Sequence, residues 1–150
     1  MKDSFPNSSL LVGEALLSPT RTYIPIIKHI MFERRESIFG LVHCSGGGQT
    51  KCMRFGTHVH HIKDNLFTPP SLFQEIQRVS ATNDKEMYEV YNMGHRFEVY
   101  CKPEAAEDII SISKSYNIDA QIIGHTEKST IESRKNHLSI KTDNIQLKYG

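Results

Sequence analysis

The sequence predicts an α+β fold, a layered α/β domain with a mixed sheet covered by helices. Three features of the 150-residue chain carry that reading. Two segments repeat apolar residues at three- and four-residue steps, the period of an amphipathic helix. Short runs with strand character bracket each of them, and the chain closes on two alternating stretches joined by a turn. Elements in that order bury their apolar faces as helices packed on a sheet.

Residues 1–9 are polar with one proline and open a lead-in over 1–15. Residues 10–17 place apolar pairs around Gly13, and Ser18, Pro19 and Thr20 read as a turn or helix start. From Thr22 onward Tyr23, Ile26, Ile27, Ile30 and Met31 form one helical face, ending near Arg35 or Glu36. Pro25 falls in the first turn, where its missing N–H costs least. The apolar run 38–43 reads as a buried strand. Gly46, Gly47 and Gly48 follow, then a short helix from Gln49 to about Phe55.

Residues 58–63 alternate weakly and read as a strand, and 64–70 as a loop. Ser71 is expected to cap a helix that buries Leu72, Phe73, Ile76 and Val79, with Gln74 completing part of a capping box. Residues 82–84 break it, 85–90 add one or two turns, and 91–94 connect tightly into a strand over 95–102. There Phe97, Val99 and Cys101 alternate with Arg96, Glu98 and Tyr100. Pro103 opens the clearest helix, 104–116, with Ala105, Ile109, Ile112 and Tyr116 on one face. Its acids come early and Lys114 late, as the helix dipole favours. An apolar strand at 120–124 precedes the C-terminal hairpin of 136–150, with arms 138–141 and 145–149.

The length fits one domain with a sizeable core, here 16–150. A net charge of +1 argues against general nucleic-acid binding. No apolar run approaches the roughly 18–20 residues that span a bilayer, and the N-terminus has no signal-peptide core. Cys44, Cys52 and Cys101 are odd in number without a C-x-x-C spacing, which fits a reduced, cytoplasmic protein.

Three consecutive glycines after a strand mean an unusual turn or a close-approach surface. If a helix begins at Gln49, its free N–H groups suit a phosphate, with Lys51 and Arg54 adding positive charge. A glycine-rich connection that binds nothing is an equal reading, because the pattern is neither a Walker A loop nor G-x-G-x-x-G. His43 ends the apolar strand three residues before the triplet. It is either a core histidine bonded to backbone or a functional imidazole facing the turn. Asn92 and Gly94 are ordinary turn residues, yet they lie at the mouth of a strand, where ligands bind in layered folds.

His58, His60 and His61 tempt a metal reading. On a strand His58 and His60 share a face while His61 points away, and no acidic or cysteine cluster supports them, so no metal site is expected. Ser45 lacks triad partners, Cys44 and Cys52 read as small buried hydrophobes, and Glu86 and Glu89 as a solvated helix face.

Three ordered motifs carry a family resemblance. Residues 16–23 (Leu-Leu-Ser-Pro-Thr-Arg-Thr-Tyr) look like an L-L-x-P-T-R-x-Y segment. Residues 43–48 look like H-x-T-G-G-G with Ser45 in place of threonine, and 86–94 look like E-M-Y-x-x-F-N-x-G. Over roughly residues 16–128 the chain resembles the C-terminal domain of the phosphoribosylformylglycinamidine cyclo-ligase (aminoimidazole ribonucleotide synthetase) family.

The resemblance implies a purine-biosynthesis enzyme that closes formylglycinamidine ribonucleotide into aminoimidazole ribonucleotide, using ATP and Mg2+. It implies a homodimer of two-domain chains with the active-site cleft between the domains. The N-terminal domain, with its D-x-x-x-x-G-A-x-P segment and main nucleotide contacts, has no counterpart in this sequence. The chain alone is therefore expected not to turn over. Carried over by motif, Gly46, Gly47, Gly48, Asn92, Met93, Gly94 and Arg21 are substrate-binding candidates, with Arg21 read either as a phosphate ligand or as a structural ion-pair partner. His43 is the candidate for a polar or acid–base role. Where relatives read N-x-G-x-G-M, this chain has His95 and Arg96, losing the second glycine. Two rival readings are a stand-alone phosphometabolite-binding module and a domain of a selenophosphate synthetase-like or hydrogenase-maturation enzyme.

Overall fold

The computed structural model describes residues 10–130 and 135–150; the polar lead-in at 1–9 lies outside them. Its helices are α1 (Val12–Leu17), α2 (Ile24–Arg34), α3 (Ser71–Ser80), α4 (Asp84–Val90) and α5 (Ala106–Ser115). Its strands are β1 (Ile38–His43), β2 (Val59–Lys63), β3 (Phe97–Cys101), β4 (Gly124–Lys128), β5 (His137–Lys141) and β6 (Gln146–Tyr149).

The strands form two ladders. β4-β2-β5-β6 is a mixed sheet in which β2 and β5 run parallel and the other neighbours antiparallel. β1 and β3 form a separate antiparallel pair, with His43 opposite Phe97 and Val42 opposite Glu98.

Each ladder owns a core. Ile26 and Ile30 of α2, Ile38, Ala105 and Ile109 cluster with Tyr23, Ile27, Met31, Val99, Cys101 and Ile112. The helical period of α2 and α5 thus covers one face of the β1–β3 pair. Leu138 and Ile140 of β5, Tyr149, Met87, Tyr88, Met93 and Cys52 make the second core, with Phe73 and Ile76 of α3 against it. Tyr100 packs into this second core while its neighbours Val99 and Cys101 pack into the first. β3 is therefore covered on both faces, and the expected half-buried alternation is incomplete because Glu98 is also buried.

Several expected elements shift. The helix after the glycines is a 3-10 helix, Gly48–Arg54, held against α4, β2 and β5. His58 has φ of +60° and precedes the strand, so it shares no face with His60. Ser71 is the first residue of α3 rather than its cap, which falls on Pro70. Val79 is exposed, and Tyr116 lies at the solvent edge beyond the end of α5. The apolar segment 120–123 is not in the ladder, because its polar groups serve the 64–65 loop. The Ile123 carbonyl accepts from the Asp64 and Asn65 amides, and the Ile122 carbonyl from the Asn65 side chain. The strand begins where this ends, at Gly124.

The break at 82–84 restarts the chain cleanly. Ala81 closes α3 in the left-handed conformation, and the Asn83 carboxamide accepts from the Glu86 amide, capping α4. Asn83→Ala is expected to lose about 1 kcal/mol of stability, read from urea denaturation, with Asn83→Asp restoring most of it.

Candidate functional site

The end of β1 and the start of β3 build one wall of a cleft. His43 is exposed, and its ring stacks on Phe97 with centroids 5.8 Å apart. Tyr23 meets both rings, at 6.0 Å from His43 and 5.4 Å from Phe97. With Arg21, Thr22, Ile24, Ile27 and Lys28 these three aromatic side chains line a cleft of about 690 Å³. The predicted Arg21 and His43 therefore share one concavity, mainly apolar in its walls and cationic at Arg21 and Lys28.

The two predicted loops meet beside it. Gly47 and Gly48 have φ of +100° and +47°, and Gly48 is buried under the last turn of α4. A Cβ on Gly48 would stand 2.5 Å from the Tyr91 carbonyl oxygen and 2.8 Å from that of Tyr88. Glycine is demanded there by both conformation and contact. Gly46 faces open space, with no atom of the described residues within 4 Å of where a Cβ would stand. The Lys51 ammonium donates to Ser45 Oγ at 3.2 Å, and the Arg54 guanidinium lies against Gly47.

At the facing turn, Asn92 Oδ1 accepts from the Gly94 amide at 3.2 Å, and its backbone carbonyl accepts from the Gln49 side chain. Met93, at φ +49°, turns its side chain into the second core. Gly94 fits closely against Phe67, Thr68 and Pro70.

Beneath both loops lies a polar network of residues absent from the sequence-derived site. Glu98 is buried, and its Oε1 accepts from Lys63 Nζ at 2.6 Å, His95 Nε2 at 2.9 Å and Cys44 Sγ at 3.1 Å. Its Oε2 accepts from the Tyr100 hydroxyl at 2.6 Å. Lys63, also buried, spends its other two N–H groups on the Gln49 carbonyl at 2.8 Å and on Gln49 Oε1 at 3.0 Å. Gln49 Nε2 donates onward to the Asn92 carbonyl and to His95 Nδ1. His95 thus accepts at Nδ1 and donates from Nε2, the neutral tautomer that both neighbours require.

Burial alone would raise the Glu98 pKa, but the hydrogen bond from His95 and the Lys63 charge outweigh it and hold the carboxyl well below the usual carboxylate range. Burial, reinforced by the Glu98 charge, pushes the Cys44 thiol and the Tyr100 phenol far upward, so both act as neutral donors. Cys44 is small and buried as expected, and it is a hydrogen-bond donor as well. Removing one member of the Lys63–Glu98 pair would leave an uncompensated buried charge, a loss of about 3–5 kcal/mol.

Among the described residues Cys44, His95 and Glu98 form the one trio whose ligand atoms lie within 4.8 Å of one another. Lys63 Nζ already supplies the positive charge at Glu98 Oε1, 2.6 Å away. A divalent cation does not fit beside that ammonium.

His61 projects from β2 on the same face as Lys63 and packs edge-on to Tyr100 at 5.6 Å. It is buried, and among the described residues neither ring nitrogen has a hydrogen-bond partner. Burial, then the Lys63 charge, lowers its pKa from 6.5 to about 4. His60 faces outward between Glu127 and Ser139.

Lys63 and Glu98 lie 35 residues apart in sequence, and no local spacing announces their pairing. The available signal was a charged residue inside each of two strand-like runs.

Residues 2–135 match the family model of the AIR synthase related protein, C-terminal domain. The chain belongs to that family. It is 38% identical over 118 residues to the phosphoribosylformylglycinamidine cyclo-ligase of Methanocaldococcus jannaschii, covering 79% of this chain and 34% of that protein. The enzyme of the same name from Methanococcus vannielii is 40% identical over 117 residues, covering 77% of this chain and 33% of the relative. That of Methanococcus maripaludis (strain S2) is 35% identical over 140 residues, covering 91% and 39%. The chain spans about a third of the length of the curated relatives it matches.

Gly48→Ala is expected to destabilise the fold by at least about 2 kcal/mol, whereas Gly46→Ala should stay within about 0.5 kcal/mol. Urea denaturation of both variants checks the contrast. A second expectation concerns acid. Between pH 6.5 and about 4 the unfolded chain binds a proton at residue 61 that the folded chain refuses, so stability falls as pH drops through that window. The loss is about 3 kcal/mol. His61→Phe should flatten this part of the profile and leave the further loss at lower pH, where Glu98 is forced to protonate.

Proposed function

We propose that this chain is the C-terminal, substrate-side domain of an ATP-dependent cyclo-ligase that converts formylglycinamidine ribonucleotide to aminoimidazole ribonucleotide in purine biosynthesis. The observation that carries this reading is the seat of Gly48 beneath the Tyr88 and Tyr91 carbonyls. It joins the glycine loop to the Asn92–Met93–Gly94 turn, so two motifs far apart in sequence form one surface next to His43.

In this reading the glycine loop and the turn present backbone to the substrate, with Gly46 the most open approach. Arg21 supplies a phosphate contact at the rim of the cleft. Ring closure bonds an internal nitrogen to the formyl carbon while the bond from that carbon to the ATP-activated formyl oxygen breaks. The oxygen leaves as phosphate, and the nitrogen must lose a proton. His43, exposed on the cleft wall, is the imidazole placed to take it. Packing against Tyr23 and Phe97 fixes its ring, which suits a group that must meet its target in one orientation.

ATP and Mg2+ belong to the partner half. Magnesium takes hard oxygen ligands, and the ligand trio available among the described residues is built around a protonated thiol and a lysine. The proposed partners are thus an N-terminal ATP-binding domain and, for the two-domain protein, a second copy. The setting is cytoplasmic; among the described residues no helix is long and apolar enough to cross a membrane.

Reconstitution tests the proposal. The chain alone, given ATP, Mg2+ and formylglycinamidine ribonucleotide, should yield no product, while addition of the N-terminal half of a methanogen relative should yield aminoimidazole ribonucleotide. His43→Ala should lower the reconstituted kcat roughly a hundredfold or more. Sustained turnover by the chain alone would overturn the division of labour, and full activity of His43→Ala would remove its role.

A further inference from the structure

We infer that Lys63 and Glu98 are positioning residues: their buried ion pair sets the spacing between the glycine loop at 46–48 and the turn at 92–94. The inference rests on the reading that these two loops meet the substrate.

Each loop is followed by one residue tethered to the pair. Gln49 comes directly after Gly48, and both its backbone carbonyl and its amide oxygen are held by Lys63 Nζ. His95 comes directly after Gly94, and its Nε2–H is held by Glu98 Oε1 at 2.9 Å. The two tethers then join each other, because Gln49 Nε2 donates to His95 Nδ1 at 3.3 Å and to the Asn92 carbonyl. The charges themselves enter from different ladders, Lys63 from the end of β2 and Glu98 from within β3. Both loops are thereby referenced to two rigid elements at once.

An apolar filling of the same volume would avoid the cost of burying two charges, but it would leave His95, Tyr100 and the Gln49 acceptors without the partners they have here. It would not fix direction. The ammonium has three N–H groups, and all three are committed, to Gln49 twice and to Glu98 once. The arrangement therefore specifies orientation, as supporting contacts of a binding site must. None of Lys63, Glu98, Gln49 or His95 lines the cleft, so each acts through the loops rather than on the substrate.

The discriminating variant is the double substitution Lys63→Met/Glu98→Leu, which removes both charges together, with Glu98→Gln as a companion that keeps shape but leaves the Lys63 charge unpaired and so costs stability. Three readouts are taken: thermal unfolding, backbone amide shifts and exchange by NMR, and calorimetric titration with formylglycinamidine ribonucleotide. The double variant should remain folded at a lower unfolding temperature and show altered amides and at least tenfold faster exchange concentrated at both loops, with the amides of α2 and α5 changed far less. Where wild type binds the nucleotide, affinity should fall roughly ten- to hundredfold.

Glu98→Gln should perturb the two loops together while the amides of α2 and α5 hold. Wild-type exchange at both loops in a folded double variant would overturn the inference, as would a change in that variant spread evenly over the whole chain. If the wild-type chain binds no nucleotide alone or with its partner half, the functional reading fails, and the exchange data still decide the positioning role.

Discussion

Glu98 occupies the interior as a charged group, and the surrounding structure is shaped by what that requires. An ionised carboxylate out of water is tolerated only with a counter-charge and satisfied oxygens. Here Lys63 provides the charge, while His95, Cys44 and Tyr100 fill the remaining acceptor sites. Those donors come from the end of β1, from β3, from the turn before β3 and from the end of β2. The two ladders are consequently locked to each other at one point by groups that tolerate little displacement. The apolar cores on either side supply the burial energy; the carboxylate dictates where the ladders meet.

The same constraint explains why this chain carries His95 where simpler packing would serve. The residue after Gly94 must bridge a carboxylate on one side and the Gln49 amide on the other, and a neutral imidazole offers one donor and one acceptor at opposite edges. Gln49 completes the circuit because its amide can accept from Lys63 and donate to Asn92 and His95 at once. Loop shape is thus set from beneath. The outer faces of the loops, at Gly46 and in the cleft beside His43, are left free for a ligand.

His61 is the counterexample within the same strand. It faces inward beside Lys63 yet finds no partner for either nitrogen among the described residues, so it is kept neutral and resists protonation rather than joining the network. Two residues on, the lysine is satisfied at all three donors. The difference lies in reach: the long Lys63 stem extends to Gln49 and Glu98, whereas the imidazole ends against the Tyr100 ring in an edge contact.

What the sequence determined by itself was local. The helical periods of residues 22–35 and 104–116 placed α2 and α5. The Ile38–His43 run, the glycine triplet and the closing hairpin stood out because each depends on neighbours a few positions away. Motif order and spacing identified the family, and with it the loops around Gly46–48 and Asn92–Gly94. Tertiary structure decided the rest. Residues 120–123 are apolar enough for a strand but lost that role to bonds with a loop 57 residues earlier. Glu98 read as the outward side of a half-buried strand, because alternation cannot reveal that a second layer covers the other face. Whether a charge lies in water or in an interior depends on what the fold brings against it, and Lys63, 35 residues away, is specified by no pattern within β3.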